Sequence, residues 1–516
     1  MPDSRTEETP KAETGGGGAR AIVIGAGFGG LAAAVRLGAR GYRVTLLEKL
    51  DAPGGRAYTF RQDGVTFDAG PTIITAPYLF EDLWALCGKK LADHVELRAI
   101  DPFYKIRFDD GMVFNYSGSQ EAMRAEVARF APEDVAGFDR FMEVSRDIYE
   151  VAFEKLADVP FHSLGFTLKS APDLIRLGGH RSVYATVCKY FTNPHLRVVF
   201  SFHPLLIGGN PLSATAYYCL IAHLERKHGV HFALGGTGAL VRGLCDLIEG
   251  QGGRLRYDCE VEQILSEGGR ATGVRLKGGE TLAADIVVSN ADSAWTYQKL
   301  LSERPRKRWS DRKLERRDFS MSLFVWYFGT KRRYEDVYHH TMVLGPRYEE
   351  LLRDIFQRKQ LAEDFSLYLH RPSASDPSLA PEGCDAFYVL APVPHLGARV
   401  DWGERAEPYR RAIEKRLEET LLPGLSEEIV TSRLLTPLDF QDRLLSVKGA
   451  AFAIEPKLFQ SAWFRPHNRS EELENLFLVG AGTHPGAGVP GVLSSARILD
   501  EVAPDPAVFL ASGTHR

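Results

Sequence analysis

Cysteine is scarce and scattered in this 516-residue chain: six residues, Cys87, Cys188, Cys219, Cys245, Cys259 and Cys384, with no Cys-x-x-Cys pair among them. That excludes a thiolate metal site and a disulfide framework, and it reads as reduced, mostly buried thiols in a cytosolic protein. No metal site is expected. Long hydrophobic runs are missing as well. The most apolar region, 198–224, is interrupted by His203, Pro204, Asn210, Pro211 and His223, so nothing reads as a clean membrane span. Residues 1–19 are polar, contain four consecutive glycines and lack the apolar centre of a signal peptide; they read as a disordered tail. Positive charge is not in excess, and a net charge of −4 argues against a nucleic-acid partner. Hydrophobic content of 44% and charged content of 25% are those of an ordinary globular protein. The length leaves room for about two to four structural units.

What is present is organised around Ala21-Ile22-Val23-Ile24-Gly25-Ala26-Gly27-Phe28-Gly29-Gly30. Four apolar residues predict a buried strand, and they run into Gly-x-Gly-x-x-Gly at Gly25, Gly27 and Gly30. Leu31, Ala32, Val35 and Leu37 follow at helical spacing, and 43–48 reads as a second strand ending on Glu48. This is a βαβ unit for a dinucleotide. Gly25 makes the tight turn, Gly27 lets backbone approach a pyrophosphate, and Gly30 lets helix pack on strand. The helix N-terminus points unpaired N–H groups and a positive dipole end at the phosphates. Glu48, about 20 residues past the first glycine, is placed to accept hydrogen bonds from ribose hydroxyls. Gly54-Gly55-Arg56 then adds two glycines that admit an anion and an arginine fork that can hold a pyrophosphate, an element that a nicotinamide dehydrogenase does not need. Its bland alternative is a loop with a surface arginine.

Further along, 65–72 predicts a short strand entering a Gly-Pro turn, while 79–97 and 120–156 are mostly helical, with Phe138, Phe141 and Met142 on one apolar face. In 160–197, Phe161, Phe166, Ile175 and Leu177 are mixed with Lys169, Arg176, Arg181, Lys189 and Arg197, and only Asp173 is acidic. A basic, apolar, broken amphipathic segment suits an interfacial membrane attachment; a solvated helix face is the alternative. Val261 lies on a strand expected to pair with 273–276, and 284–292 reads as a further strand of the dinucleotide sheet. The stretch 319–435 is rich in aromatic and β-branched runs and predicts a sheet whose apolar face lines a substrate cavity. Near the C-terminus a buried strand enters Gly480-Ala481-Gly482-Thr483-His484-Pro485-Gly486, and a helix starting near Gly491 would aim its N–H groups at a ligand. No acid follows at the ribose-binding distance, so two glycine loops at opposite ends of the chain suit one long dinucleotide.

These motifs, with His339-His340-Thr341-Met342-Val343-Leu344-Gly345-Pro346-Arg347-Tyr348, Ser366-Leu367-Tyr368-Leu369-His370 and the run from Gln460 through Trp463 to Asn468, resemble the bacterial-type phytoene desaturases and related carotenoid oxidoreductases, from Arg20 to about Leu499. The resemblance implies an α/β, glutathione-reductase-like FAD-binding Rossmann domain built from discontinuous segments (20–80, 230–295 and 470–505). It also implies a helical, membrane-associated region (81–229) and a mixed-sheet substrate domain (296–469). It implies FAD, a C40 polyene substrate (phytoene, desaturated to neurosporene or lycopene), quinone or oxygen as electron acceptor, and a cytoplasmic enzyme bound peripherally to the inner face of the cell membrane. The candidate cofactor-binding residues are Gly25, Gly27, Phe28, Gly29, Gly30, Glu48, Lys49, Gly55, Arg56, Val261, Gly482, Gly491 and Val492; Val261 would contact the adenine through its backbone, or be a plain hairpin strand. No catalytic residue is named. His203, His223, His228, His231, His339, His340 and His484 have suitable chemistry, and a structural histidine is the commoner case for each. Other readings stay open: a desaturase of a later carotenoid intermediate, a carotenoid isomerase, an amine or protoporphyrinogen oxidase, and, from another class, a prenyl-lipid-binding chaperone on the same fold.

Overall fold

The computed structural model describes residues 18–303 and 306–511. Residues 1–17 of the expected tail lie outside the described residues. Ala19, which that expectation placed in the tail, is instead buried, and its carbonyl accepts the Arg43 N–H at 2.8 Å.

Five parallel strands form the dinucleotide sheet, in the order Leu476–Leu478, Ile286–Ser289, Arg20–Ile24, Arg43–Leu47, Arg254–Arg256. Arg20–Ile24 lies at the centre, and Ala21, Ile22, Val23 and Ile24 are all buried, as a parallel strand covered on both faces requires. Helix Phe28–Ala39 packs on one face, where small residues (Ala32, Ala33, Ala34) let helix and sheet approach closely. The last strand, Leu476–Leu478, returns almost from the end of the chain, so the two glycine loops start from strands of one sheet.

A second sheet has seven strands, in the order Ile429–Leu435, Ser322–Thr330, Asp385–Val393, Leu367–His370, His340–Val343, Tyr104–Arg107, Val113–Tyr116. All neighbours are antiparallel except His340–Val343 with Tyr104–Arg107. Strand Ser322–Thr330 is buried along its length because its faces do different work. Phe324, Trp326 and Phe328 meet helix Trp402–Thr420 through Trp402, Tyr409, Ile413 and Leu417, while Leu323 and Val325 face a cavity. Asp401 starts that helix by accepting the N–H groups of Gly403 and Glu404 at 2.9 and 3.3 Å.

Two features differ from the sequence reading. The region expected to be helical, 81–229, supplies the last two strands of this sheet, Tyr104–Arg107 and the edge strand Val113–Tyr116, beside its helices. The strand-rich stretch 319–435 contains the 19-residue helix Trp402–Thr420. Helices Gln120–Phe130 and Val135–Ile148 run as expected, and Phe138, Phe141 and Met142 are buried. Helix Leu164–Arg176 contains Pro172, and its Ile175 is 67% exposed. Among the described residues no helix is long and apolar enough to cross a membrane. Cys219 and Cys245 are buried and the other four thiols half-buried, all free.

Candidate active site

The turn after strand Arg20–Ile24 is fixed by hydrogen bonds that leave its outer side open. Gly25, at φ +91°, donates to the Leu47 carbonyl at 2.7 Å. A Cβ on Gly30 would stand 2.0 Å from the Gly25 carbonyl oxygen, so only glycine lets helix Phe28–Ala39 start against its own turn. A Cβ on Gly29 would stand 2.6 Å from Asn290 Oδ1, and one on Gly27 3.0 Å from Asn290 Nδ2. Asn290, at the end of strand Ile286–Ser289, therefore forms the floor of the glycine turn.

Glu48 is 6% exposed. Its Oε2 accepts the Ala26 N–H at 2.7 Å and its Oε1 the Leu50 N–H at 2.9 Å. Burial raises its pKa, against the pull of these backbone donors and Lys49. The segment leading to Val261 lies alongside, with the Cys259 N–H donating to the Glu48 carbonyl at 2.8 Å. Val261 pairs with Leu276, at the end of the predicted partner stretch. Leu47, Glu48, Lys49, Cys259, Glu260 and Val261 together wall one end of a cavity of about 620 Å³.

Gly27, Phe28, Gly29, Gly54, Gly55 and Arg56 line the cavity next, followed by Asn290, Asp292 and Trp295, and then by the C-terminal loop through Gly480, Ala481, Gly491 and Val492. Helix Val489–Arg497, capped by Gly488, starts two residues ahead of the expected start near Gly491, and its N-terminal turn faces the cavity. Beyond it the walls become apolar: Leu323, Val325, Leu390 and Pro392 from the large sheet, and Phe202, Leu205, Ile207 and Leu224 from the helical region. One cavity thus runs from Glu48 into a greasy tunnel. Its polar inlay includes the buried Glu225, whose Oε1 accepts the Tyr104 hydroxyl at 2.6 Å and whose Oε2 lies 3.3 Å from His203 Nε2, and the trio Tyr368, Tyr388 and Thr72, which satisfy one another. Thr72 Oγ1 lies 3.1 Å from both tyrosine hydroxyls, the Tyr388 hydroxyl donates to the Gly70 carbonyl at 3.0 Å, and the Tyr368 hydroxyl lies 2.7 Å from His340 Nδ1.

Several predicted residues stand differently than expected. Two nitrogens of Arg56 are held by protein acceptors: Nε donates to the Ala451 carbonyl at 2.6 Å and Nη2 to Ser446 Oγ at 2.8 Å. Gly482 does not line the cavity. Its glycine is needed because a Cβ there would stand 2.3 Å from Ser293 Oγ, which donates to the Gly482 carbonyl at 3.0 Å. Gly30 serves packing, as its spacing implied. The Lys49 ammonium donates to the Asp442 carbonyl. Of the seven candidate histidines only His484 lines the cavity. Its Nε2 lies 3.0 Å from the Leu156 carbonyl, and burial pulls its pKa down to about 4. His339 and His340 cluster with His370; Ser375, Tyr368 and the neighbouring imidazole engage four of the six ring nitrogens at 2.7 to 3.1 Å, while His340 Nε2 and His370 Nδ1 have no partner among the described residues. Sequence reasoning passed over Asn290, Asp292 and Trp295. Their signal was the end of a parallel strand beside the glycine turn, where α/β sheets bind ligands.

A family profile for flavin containing amine oxidoreductases matches residues 28–498. The chain is 52% identical over 491 residues to a neurosporene-forming phytoene desaturase of Cereibacter sphaeroides, covering 94% of this chain and 95% of that one. It is 49% identical over 476 residues to a lycopene-forming phytoene desaturase of Pantoea ananas, covering 92% and 97%. The chain belongs to the flavin-containing amine oxidoreductases, in their phytoene desaturase branch. A putrescine oxidase structure superposes with a TM-score of 0.63 at 14% identity, covering 96% of this chain and 99% of that one, a likeness of fold. The family's flavin is FAD, and this cavity fits it on grounds of its own. Two buried polar atoms of cavity-lining residues, Asp292 Oδ2 and Trp295 Nε1, have no partner among the described residues. Buried polar atoms without partners are costly, and a polar ligand would satisfy them. Two helix N-termini and a glycine turn without side chains face the same space.

Proposed function

We propose that this flavoenzyme desaturates phytoene to neurosporene or lycopene at a membrane surface, with quinone or oxygen as the final electron acceptor. The observation that carries the reading is the continuity of the cavity: the dinucleotide end opens without a partition into a tunnel walled by aliphatic and aromatic side chains. A C40 hydrocarbon calls for the largely apolar wall that is present, and the buried acid in that wall, Glu225, is held by Tyr104 and His203. The two curated relatives, each about half identical over nearly the whole chain, act on phytoene by their names.

In this reading Gly25, Gly27, Phe28 and Gly29, with the N-terminus of helix Phe28–Ala39, take the pyrophosphate. Glu48 takes the ribose hydroxyls, Val261 lies at the adenine, and Gly55 and Arg56 close the phosphate side. Gly491 and Val492 present the N-terminus of helix Val489–Arg497 to the flavin ring. Bound FAD supplies a hydride acceptor. The chain's own residues hold the polyene extended, exclude water with the tunnel wall, and keep Tyr368, Tyr388 and Thr72 bonded to one another so that no free hydroxyl competes with the hydrocarbon. His484, neutral and with Nδ1 unpartnered among the described residues, is the candidate histidine placed to take the released proton. The enzyme sits in the cytoplasm against the inner face of the cell membrane, with 160–197 as one attachment: Ile175 is exposed on helix Leu164–Arg176, and Phe161 and Thr167 line the cavity.

Incubating the FAD-loaded enzyme with phytoene tests this. New absorption in the visible region, from conjugated double bonds, is the expected result. A yellow protein that leaves phytoene colourless in the presence of quinone or oxygen overturns it.

A further inference from the structure

Segment 458–464 places an exposed aromatic lip at the mouth of the tunnel. Leu458, Trp463 and Phe464 line the cavity, while Phe459, one position from Leu458, is 68% exposed. Its ring meets that of Phe464 edge-on at 5.5 Å, so the apolar surface is continuous from the tunnel wall to the outside. A single exposed ring is ordinary, but one that continues an apolar cavity wall outward belongs to a contiguous apolar surface, the kind that marks an interaction site.

Directly behind the lip lies 306–317, with seven cations and two acids. It is joined to the lip at two points. The Arg308 guanidinium lies over the Trp463 ring at 4.5 Å, and Arg317 Nη1 donates to the Phe459 carbonyl at 3.1 Å. Arg306 and Arg308 are drawn to Asp311 and Glu471. Arg312 and Arg316 are exposed on and just past the short helix Asp311–Glu315, and Lys313 and Arg317 are folded over the Trp309 ring at 4.0 and 5.6 Å. Lys313 has its pKa lowered by burial first and then by Arg317 and Arg308, with Glu471 and Glu472 opposing.

We propose that this lip and its cationic backing form a membrane seat, in which Phe459 inserts among the headgroups of an anionic bilayer while Arg312, Lys313, Arg316 and Arg317 meet the lipid phosphates. The seat places the tunnel mouth on the bilayer, where a hydrocarbon substrate resides, and it forms a second attachment beside helix Leu164–Arg176. It rests on the reading of the substrate as a membrane-soluble polyene. An aromatic residue next to basic ones is the usual composition of an interfacial anchor.

Co-sedimentation of the full-length FAD-loaded enzyme with phosphatidylcholine vesicles, with and without phosphatidylglycerol, tests it. Each cation near an anionic surface contributes about fivefold in partitioning, so Arg312→Glu with Arg316→Glu is expected to weaken binding to phosphatidylglycerol vesicles by at least about 25-fold and to remove most of its salt dependence. Phe459→Ser is expected to weaken binding to both vesicle types. Neither set of changes touches the cavity wall, so both variants should still desaturate phytoene supplied in detergent micelles. That arm separates failure of the seat from failure of the substrate reading. Variants that bind both vesicle types as well as the unaltered enzyme overturn the proposal. So does an Ile175→Ser variant that alone abolishes binding while Phe459→Ser binds normally.

Discussion

The Glu48 carboxylate accepts the Ala26 N–H at 2.7 Å, and this bond ties the end of the second strand to the middle of the glycine turn. One carboxylate therefore shapes the glycine turn, and in the proposed function it also takes the ribose hydroxyls. Glu48→Gln keeps one acceptor for the turn, whereas Glu48→Ala leaves two buried N–H groups without partners. The alanine variant is expected to lose FAD affinity by about ten- to a hundredfold, the worth of about 1–3 kcal/mol, and the glutamine variant by less. Flavin fluorescence titration reads both dissociation constants; equal affinities for the two variants would remove the loop-shaping role.

Gly27 and Gly30 belong to one motif but fail differently. A side chain on Gly27 meets only the Asn290 amide closely and otherwise projects into the cavity, so Gly27→Val should give a folded, colourless protein. A Cβ on Gly30 would collide with the Gly25 carbonyl at 2.0 Å, so Gly30→Ala should disrupt the turn and lower the melting temperature as well as the flavin content. Circular dichroism with flavin absorbance distinguishes the two. A yellow Gly27→Val protein would move the pyrophosphate elsewhere.

Much of this was legible in the sequence, because the dinucleotide motif is local: strand, turn and helix lie within about 20 residues, and each glycine has its own steric reason. What stayed hidden was non-local. Arg56 carries the right chemistry for a phosphate, but its acceptors, Ser446 and Ala451, lie 390 and 395 residues away. Strands Tyr104–Arg107 and Val113–Tyr116 are four residues each; the first pairs with the edge that His340–Val343 offers, and the second pairs with the first. Helix Trp402–Thr420 was a different kind of miss. Trp402, Tyr409, Ile413 and Leu417 have helical spacing, but they are spread through a highly charged stretch between the aromatic strand Asp385–Val393 and the β-branched strand Ile429–Leu435, so strand signals surround it.

The tunnel's tyrosines lend themselves to a stability test. Tyr368→Phe removes the hydroxyl beside His340 Nδ1, and His340 is fully buried with its pKa held well below the usual histidine range by burial and by its neighbours His339 and His370. Leaving that nitrogen without a partner should cost about 1–3 kcal/mol. Tyr388→Phe should cost less on the histidine side, because Tyr388 bonds Thr72 and the Gly70 carbonyl instead. Denaturant unfolding of the two variants, with flavin content as a control, checks the order. A Tyr368→Phe protein as stable as the parent would mean that His340 finds another partner.

His484 links the C-terminal glycine loop to the helical region through the Leu156 carbonyl, and its titration sets a pH window for that link. In the unfolded chain the imidazole has its ordinary pKa of 6.5; in the folded protein burial, aided by Arg465 and His467 and opposed by the Leu156 carbonyl, brings it to about 4. Between these values the unfolded state binds the extra proton, so folding grows less favourable as pH falls from 6.5 towards 4. Above 6.5 both states are neutral and the loss is absent. The full difference is about 3 kcal/mol, from the size of the shift. His484→Gln cannot take up that proton, so its melting temperature should fall less between pH 7 and pH 4 than that of the parent, in buffers matched for ionic strength. If the loop needs the neutral imidazole to keep helix Val489–Arg497 at the cavity, FAD should also dissociate from the parent enzyme within this window, ahead of global unfolding. Parallel pH dependence of parent and variant would show that His484 is not buried in solution as it is in this fold.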